Sequence, residues 1–183
     1  MKMPRLLLVT LLTAAVAPAA MAADFRALDF NASCADVASK EAALGSTPYT
    51  EQLPSGLQYA FNNREADRDV IVGYACRDGR FFRGAYIFMV KDEADATALY
   101  GVLKRRVTKE RGKPSYDFAS AEYRNKMKSI GAKLAPVDTQ VAFWNNGHSE
   151  AHASVAAPSG TRGWRVSLSY TAEEAVASTP RGD

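Results

Sequence analysis

The chain has few of the residues that catalytic and metal sites need. It holds two cysteines and two histidines in 183 residues. It has no P-loop, no G-x-S-x-G elbow, no dinucleotide fingerprint and no zinc-finger spacing. Its acidic residues are scattered, without a carboxylate pair suited to glycoside hydrolysis. We therefore expect a non-enzymatic protein.

Long apolar runs are missing after residue 22. Before it, Lys2 and Arg5 precede an apolar stretch over 6–16, and Ala20-Met21-Ala22 supplies the small residues of a signal-peptidase site. The stretch is too short for a membrane span. We predict a cleaved signal peptide over 1–22, no transmembrane segment after cleavage, and a periplasmic or secreted product.

The predicted mature chain has almost no excess of charge. Loss of Lys2 and Arg5 with the leader lowers the formal net charge from +3 to +1. A nearly neutral exported protein gives no electrostatic reason to bind nucleic acid. We expect no nucleic-acid partner.

The two cysteines, Cys34 and Cys76, form an even pair. In an exported protein such a pair predicts a disulfide that closes a loop of about 40 residues. A C-x-x-C redox pair is excluded by the spacing, whereas a catalytic thiol remains an alternative.

Turn signals and hydrophobic periodicity divide the chain into strand-like and helical runs. The strand-like runs are 57–62, 69–76, 80–90, 139–145, 151–157 and 163–171. The helical runs are 33–45, 92–112 and 120–130. We predict one α+β domain over 23–177: an antiparallel sheet of about six strands in two three-stranded sets, with three helices packed on one face. A disordered tail over 178–183 follows.

The two halves of this order, 33–90 and 92–171, resemble each other. Gln58-Tyr59-Ala60-Phe61 matches Gln140-Val141-Ala142-Phe143 at an offset of 82 residues. Duplication and chance similarity between hairpin sequences both explain the match. We keep a pseudo-repeat as one hypothesis.

The order of elements over 92–171, two helices followed by a three-stranded meander, resembles the modules of secreted β-lactamase-inhibitor proteins. It also resembles small lipoproteins of the outer-membrane-assembly machinery. Two such modules in tandem is the inhibitor arrangement. The resemblance implies a sheet with helices on one face and the other face free to bind a protein. It rests on element order, so it assigns no functional residue.

The only histidines stand in an H-x-E-x-H pattern, His148, Glu150 and His152. On an extended strand these three side chains point to one face. Two imidazoles and a carboxylate suit a divalent metal such as zinc. The alternative is the solvated polar face of a strand, without a cofactor.

Residues 104–133 are strongly basic, with ten lysines and arginines against three acids. They predict either a contact with an anionic envelope surface or two solvated helix faces. The candidate anion-binding residues are Lys104, Arg105, Lys109, Arg124 and Lys128.

Aromatic residues are concentrated in the strand-like runs, and 80–90 is apolar on both faces. Alternation places Phe82, Tyr86 and Phe88 on one face of that run and Phe81 on the other. This pattern is typical of a central strand covered on both sides, and equally of an exposed aromatic surface for a partner. The candidate partner-binding residues are Tyr59, Phe82, Tyr86, Phe88, Trp144 and Trp164.

Our leading functional hypothesis is an exported, non-enzymatic protein that binds another protein. An inhibitor, immunity or envelope-interaction role would fit it. The alternatives are a metal-dependent protein that uses the H-x-E-x-H pattern, and a protein that binds anionic envelope surfaces through basic helices.

Overall fold

In the computed structural model, the described residues are 23–65, 67–118, 125, 138–157 and 163–173. The predicted signal peptide, the predicted tail over 178–183 and nearly all of the predicted helix over 120–130 lie outside them.

One antiparallel sheet dominates the described part of the chain. It has eight strands in the order β1-β2-β3-β4-β8-β7-β6-β5. The strands are β1 Thr47–Pro48, β2 Tyr59–Glu65, β3 Arg68–Arg77, β4 Arg80–Val90, β5 Tyr116–Phe118, β6 Asp138–Asn145, β7 Ser149–Ala156 and β8 Trp164–Ala172. The helices are a 3-10 turn at Cys34–Asp36, α1 Val37–Ala43 and α2 Glu93–Arg111.

The predicted fold class is therefore wrong. The fold is mostly β, with eight strands in place of six and, within the described residues, two α-helices in place of three. The missed strands, β1 and β5, are edge strands of two and three residues. Segments this short cannot display an alternating pattern, and they join the sheet through backbone pairing alone.

Helix α2 covers one half of the sheet. The Oδ1 atom of Asp92 accepts a hydrogen bond of 2.8 Å from the backbone N–H of Asp95, which caps the helix. Gly112 ends it with a φ of +84°. The helix packs on β6, β7 and β8. Its buried stripe is Ala96, Leu99, Tyr100, Leu103 and Val107, as the sequence periodicity predicts.

The N-terminal segment and α1 lie on the same face as α2. Phe25 packs against Gly84, where an added Cβ would stand 2.2 Å from its ring. The same ring contacts those of Tyr74, Tyr86 and Tyr170. We call this helix-bearing side the covered face of the sheet.

The predicted disulfide is confirmed. Cys34, in the 3-10 turn, is bonded to Cys76 at the end of β3, with 6.4 Å between their Cα atoms. The bond fixes the helical N-terminal region to the sheet across a sequence separation of 42.

A register shift between β3 and β4 breaks the expected alternation. Ala75 pairs with Arg83, but Cys76 pairs with Phe81, so Phe82 is an extra residue in β4. The bulge turns Phe81 into the covered core, fully buried beside Phe30 and Tyr74. The prediction that places Phe81 on the face opposite Tyr86 and Phe88 is therefore wrong, and Phe82 is partly buried and packs against the same core.

Candidate functional site

The other side of the sheet carries no described helix, and we call it the open face. Two cross-strand rows cross it from β3 to β5, with small or polar residues at their centre, on β8 and β7. The first row is Gly73, Ala85, Ser169, His152, Phe143 and Tyr116. The second row is Ile71, Ile87, Ser167, Ser154, Val141 and Phe118.

A loop of the chain folds over one end of the open face. The side chain of Leu57 lies on Gly73, where an added Cβ would stand 2.2 Å from Leu57 Cδ1. Nη2 of Arg83 donates a hydrogen bond of 2.8 Å to the carbonyl oxygen of Gly56. A Cβ on Gly56, whose φ is +76°, would stand 2.7 Å from that nitrogen. Two glycines therefore allow the loop to dock.

Beside this loop the open face forms a depression of about 270 Å³. Its floor is built by β4, β8 and β7, where small side chains leave the volume empty. The lining residues are Pro54, Ser55, Leu57, Arg83, Ala85, Ile87, His152, Ser154, Arg165, Ser167 and Ser169.

The centre of the depression presents hydroxyl groups and an imidazole. Ser154 Oγ and Ser167 Oγ are 2.9 Å apart and hydrogen-bonded to each other. The ring of His152 stacks parallel on Phe143, with 4.3 Å between centroids. Ser154 and the Nε2 atom of His152 are buried, whereas Ser167 and Ser169 are half-buried. The hydroxyl groups of Ser167 and Ser169 can donate and accept hydrogen bonds, so the depression suits a polar or anionic group.

Arg83, which lines the depression, differs from two other partly buried arginines in its charged partners. Arg26 and Arg106, partly buried on the covered face, are paired with Glu41 at 2.7 Å and Glu65 at 2.8 Å. Among the described residues no carboxylate lies within ion-pair distance of Arg83. Burial lowers the pKa of the Arg83 guanidinium.

The pKa values of these arginines shift in opposite directions: the pKa is raised for Arg26 and Arg106 and lowered for Arg83. Burial by itself lowers the pKa of Arg26, but the hydrogen bond and charge of Glu41 reverse the direction, so the pKa is raised. The pKa of Arg106 is also raised, because nearby Tyr170 and Glu65 outweigh the effect of burial. Arg83 thus has the burial without the compensating charge.

The three residues of the H-x-E-x-H pattern do not converge. Strand β7 begins at Ser149, so His148 precedes it, and its Nε2 lies 3.0 Å from Asp24 Oδ1. Glu150 and His152 lie on the open face, where burial raises the pKa of Glu150. Within the described residues no three His, Cys, Asp or Glu side chains are grouped to hold a metal. A zinc site remains a prediction.

The six candidate partner-binding aromatics differ in burial: three lie in the core and three are partly buried or exposed. Tyr86, Phe88 and Trp144 are buried in the core of the covered face. Phe82 and Trp164 are partly buried, and Tyr59 is 38% exposed. They do not form one surface, because the large rings fill the space between the sheet and its helices.

The candidate basic residues of α2 have different surroundings. Nζ of Lys104 pairs with Asp117 at 2.6 Å. Arg105 and Lys109 are exposed, and among the described residues no carboxylate pairs with either. Arg124 and Lys128 lie outside the described residues. Contact with an anionic envelope surface remains a prediction.

Sequence reasoning missed Arg83 and the loop beside it. The sequence of β8 alternates apolar residues with polar ones, which puts Ser167 and Ser169 on the face opposite its apolar side chains. No local pattern, however, indicates that Leu57 lies on Gly73 or that Arg83 has no acidic partner among the residues that the structure describes. Both facts depend on cross-strand register and on the bulge at Phe82.

No described helix is long and apolar enough to cross a membrane. Comparison with protein-family models, with curated proteins and with solved structures found no match. The resemblance to inhibitor and lipoprotein modules therefore remains a prediction, and function has to be argued from the geometry of the open face.

Proposed function

We propose that this protein is a non-enzymatic binding protein of an oxidising compartment and that it holds another protein on the open face of its sheet. The disulfide supports the compartment, because such bonds persist where thiols are not kept reduced. The observation that carries the binding role is the depression on the open face.

The size of the depression favours a protein partner. Its volume of about 270 Å³ lies below the range of roughly 300–1,000 Å³ typical of pockets that enclose small molecules. One or two side chains of a partner would fill it. Around it the open face continues with Met89, 45% exposed, and Tyr116, 59% exposed. An anchored side chain surrounded by such contacts is the usual plan of a protein interface.

The proposal is tested by filling the depression. Ser169→Trp puts a bulky ring on its floor, and Ala98→Trp puts the same ring on the exposed side of α2 as a matched control. Proteins retained from the extracellular or periplasmic fraction by the immobilised mature wild type are then compared with those retained by each variant. Thermal melts establish that both variants are folded.

We expect a partner that binds wild type and the Ala98→Trp variant, with binding to the Ser169→Trp variant weakened at least tenfold. The affinities are measured with the purified partner by calorimetry. A partner that binds all three proteins equally, or no protein retained by wild type, contradicts the proposal.

A further inference from the structure

Arg83 is held in a defined place at the edge of the depression. Its backbone lies between Ala75 of β3 and Thr171 of β8. Its guanidinium is fixed by the hydrogen bond to the carbonyl of Gly56. A carbonyl is a neutral acceptor, so this bond orients the group without neutralising it.

Arg83 makes one hydrogen bond to the described residues. A guanidinium has five N–H donors in a planar fork. Among the described residues Arg83 has one acceptor, Gly56 O, and no carboxylate. A partly buried cation in this state is stabilised by any anion that reaches it, because part of its hydration has already been lost.

The neighbours of Arg83 determine which anion fits. Ser169, which pairs with Ala85 two residues along β4 from Arg83, adds a hydroxyl donor on the floor, and Leu57, next to Gly56, adds apolar surface. A carboxylate on a short aliphatic stem matches both kinds of surface. It accepts two parallel N–H bonds from an arginine fork, while its methylene groups pack on the apolar side chain.

We propose that the depression beside Arg83 is a subsite for the carboxylate of an Asp or Glu side chain that a partner protein presents to the open face. This inference rests on the proposed function, since it names the chemistry by which the partner is recognised.

The first experiment uses a blocked amino acid as the probe. N-acetyl-glutamate amide is titrated into ¹⁵N-labelled mature protein, with N-acetyl-glutamine amide as the neutral probe of the same shape. We expect saturable shifts of the Arg83 side-chain N–H signal and of the Gly56 and Leu57 amides with the glutamate probe alone. Equal shifts with both probes, or none, would overturn the proposal.

Variants of Arg83 and its surroundings test whether the glutamate probe binds at this guanidinium. Arg83→Gln should weaken binding of the glutamate probe at least tenfold, and Arg83→Lys, which keeps the charge without the fork, should weaken it less. Arg105→Gln, a matched loss of charge on α2, should leave it unchanged. Gly56→Ala keeps the charge but displaces the guanidinium, so it should also weaken binding. Equal binding by the Arg83→Gln and Arg105→Gln proteins contradicts the assignment.

Two further comparisons separate this inference from the proposed function. If a partner is lost by Ser169→Trp but retained by Arg83→Gln, the open face binds protein and the carboxylate subsite is wrong. If the glutamate probe binds at Arg83 but no protein partner is found, the site takes a free carboxylate and the protein-binding function is wrong. Tighter binding of inorganic phosphate than of the glutamate probe would also overturn the assignment to an acidic side chain.

Discussion

The two faces of the sheet use arginine in opposite ways. On the covered face Arg26 and Arg106 are paired with Glu41 and Glu65, and both guanidinium groups lie over the ring of Tyr86. On the open face Arg83 lies among serines and small residues with only a carbonyl as its described partner. In this protein the aromatic residues fill the core. The proposed binding surface instead combines small side chains with Arg83, which has no acidic partner among the described residues.

The largest expected effect is loss of the disulfide that fixes the covered face. A cross-link across 42 residues corresponds to about 4 kcal/mol in the chain-entropy model. We expect the Cys34→Ser/Cys76→Ser variant to lose about that much free energy of unfolding in urea denaturation. Reductant should lower wild type to the level of the variant and leave the variant unchanged. Equal stability of oxidised wild type and variant would refute the expectation.

A second large effect should follow from Glu41→Gln. Glu41 is fully buried and accepts hydrogen bonds from Arg26, Tyr74 and Ser46. The amide keeps the shape but leaves the Arg26 charge unneutralised, so we expect about 3 kcal/mol lower stability. Denaturant unfolding measures the change.

The control for Glu41 removes both charges. The double variant Arg26→Met/Glu41→Leu should recover part of the lost stability, because an apolar pair leaves no buried charge without a partner. The recovery is incomplete because Tyr74 and Ser46 lose the acceptor of their hydroxyl groups. Glu51→Gln, an exposed change of the same kind, should have little effect. A Glu41→Gln protein within about 0.5 kcal/mol of wild type, the usual range for surface changes, would show that the covered face does not depend on this neutralisation.

A smaller effect is expected at the loop of the open face. Gly73→Ala places a Cβ 2.2 Å from Leu57 Cδ1, and such overpacking costs about 1–3 kcal/mol. Adding Leu57→Ala should recover part of the loss. Gly101→Ala in α2, where the new Cβ would lie 3.5 Å from Arg105 Nη1, should instead stabilise by up to about 1 kcal/mol. A Gly73→Ala protein as stable as wild type would show that the loop does not pack on Gly73. Thermal unfolding distinguishes these outcomes.

The smallest effect is expected for Asp95→Asn at the N-terminus of α2. The guanidinium of Arg68 donates two hydrogen bonds, of 2.9 and 2.7 Å, to the Asp95 carboxylate. This holds the pKa of Asp95 below its usual value. A lowered folded-state pKa gives stability that is present above the unfolded pKa of about 4 and is lost as pH falls through the folded value.

The Asp95→Asn variant should therefore differ slightly from wild type between pH 5 and pH 7, and the difference should shrink below pH 4. Denaturant midpoints measured across that range check it. A stability difference between the two proteins that grows as pH falls would contradict the stabilising role of the Asp95–Arg68 interaction.

The two halves of the sheet have the same strand order, but their matching sequences do not occupy equivalent positions. Each half has a short edge strand followed by a three-stranded meander, and the halves meet at β4 and β8. The matching residues Phe61 and Phe143 nevertheless lie on opposite faces, beside Tyr74 and His152 respectively. The match at an offset of 82 therefore does not align equivalent positions, and duplication remains a prediction.

The helix α2 and strand β8 could be predicted closely, because each displays its own periodicity. The fold class and the site could not. The two- and three-residue edge strands have no pattern of their own. The bulge at Phe82 also moves Phe81 to the opposite face of the sheet, and the local sequence does not predict this bulge. Glu41 was predicted to lie on a helix, but its burial beside Arg26 depends on segments that are distant in sequence.

The sequence by itself determined the periodic parts of this protein, namely the apolar stripe of α2, the alternation of β8 and the pairing of its two cysteines. These depend on residue spacing within one element or on the small number of thiols. Tertiary structure alone decided which face carries the described helices, that Leu57 docks on Gly73, and that Arg83 has no acidic partner within the described part of the chain. Those outcomes arise from register and packing between elements far apart in the chain, where local patterns carry no information.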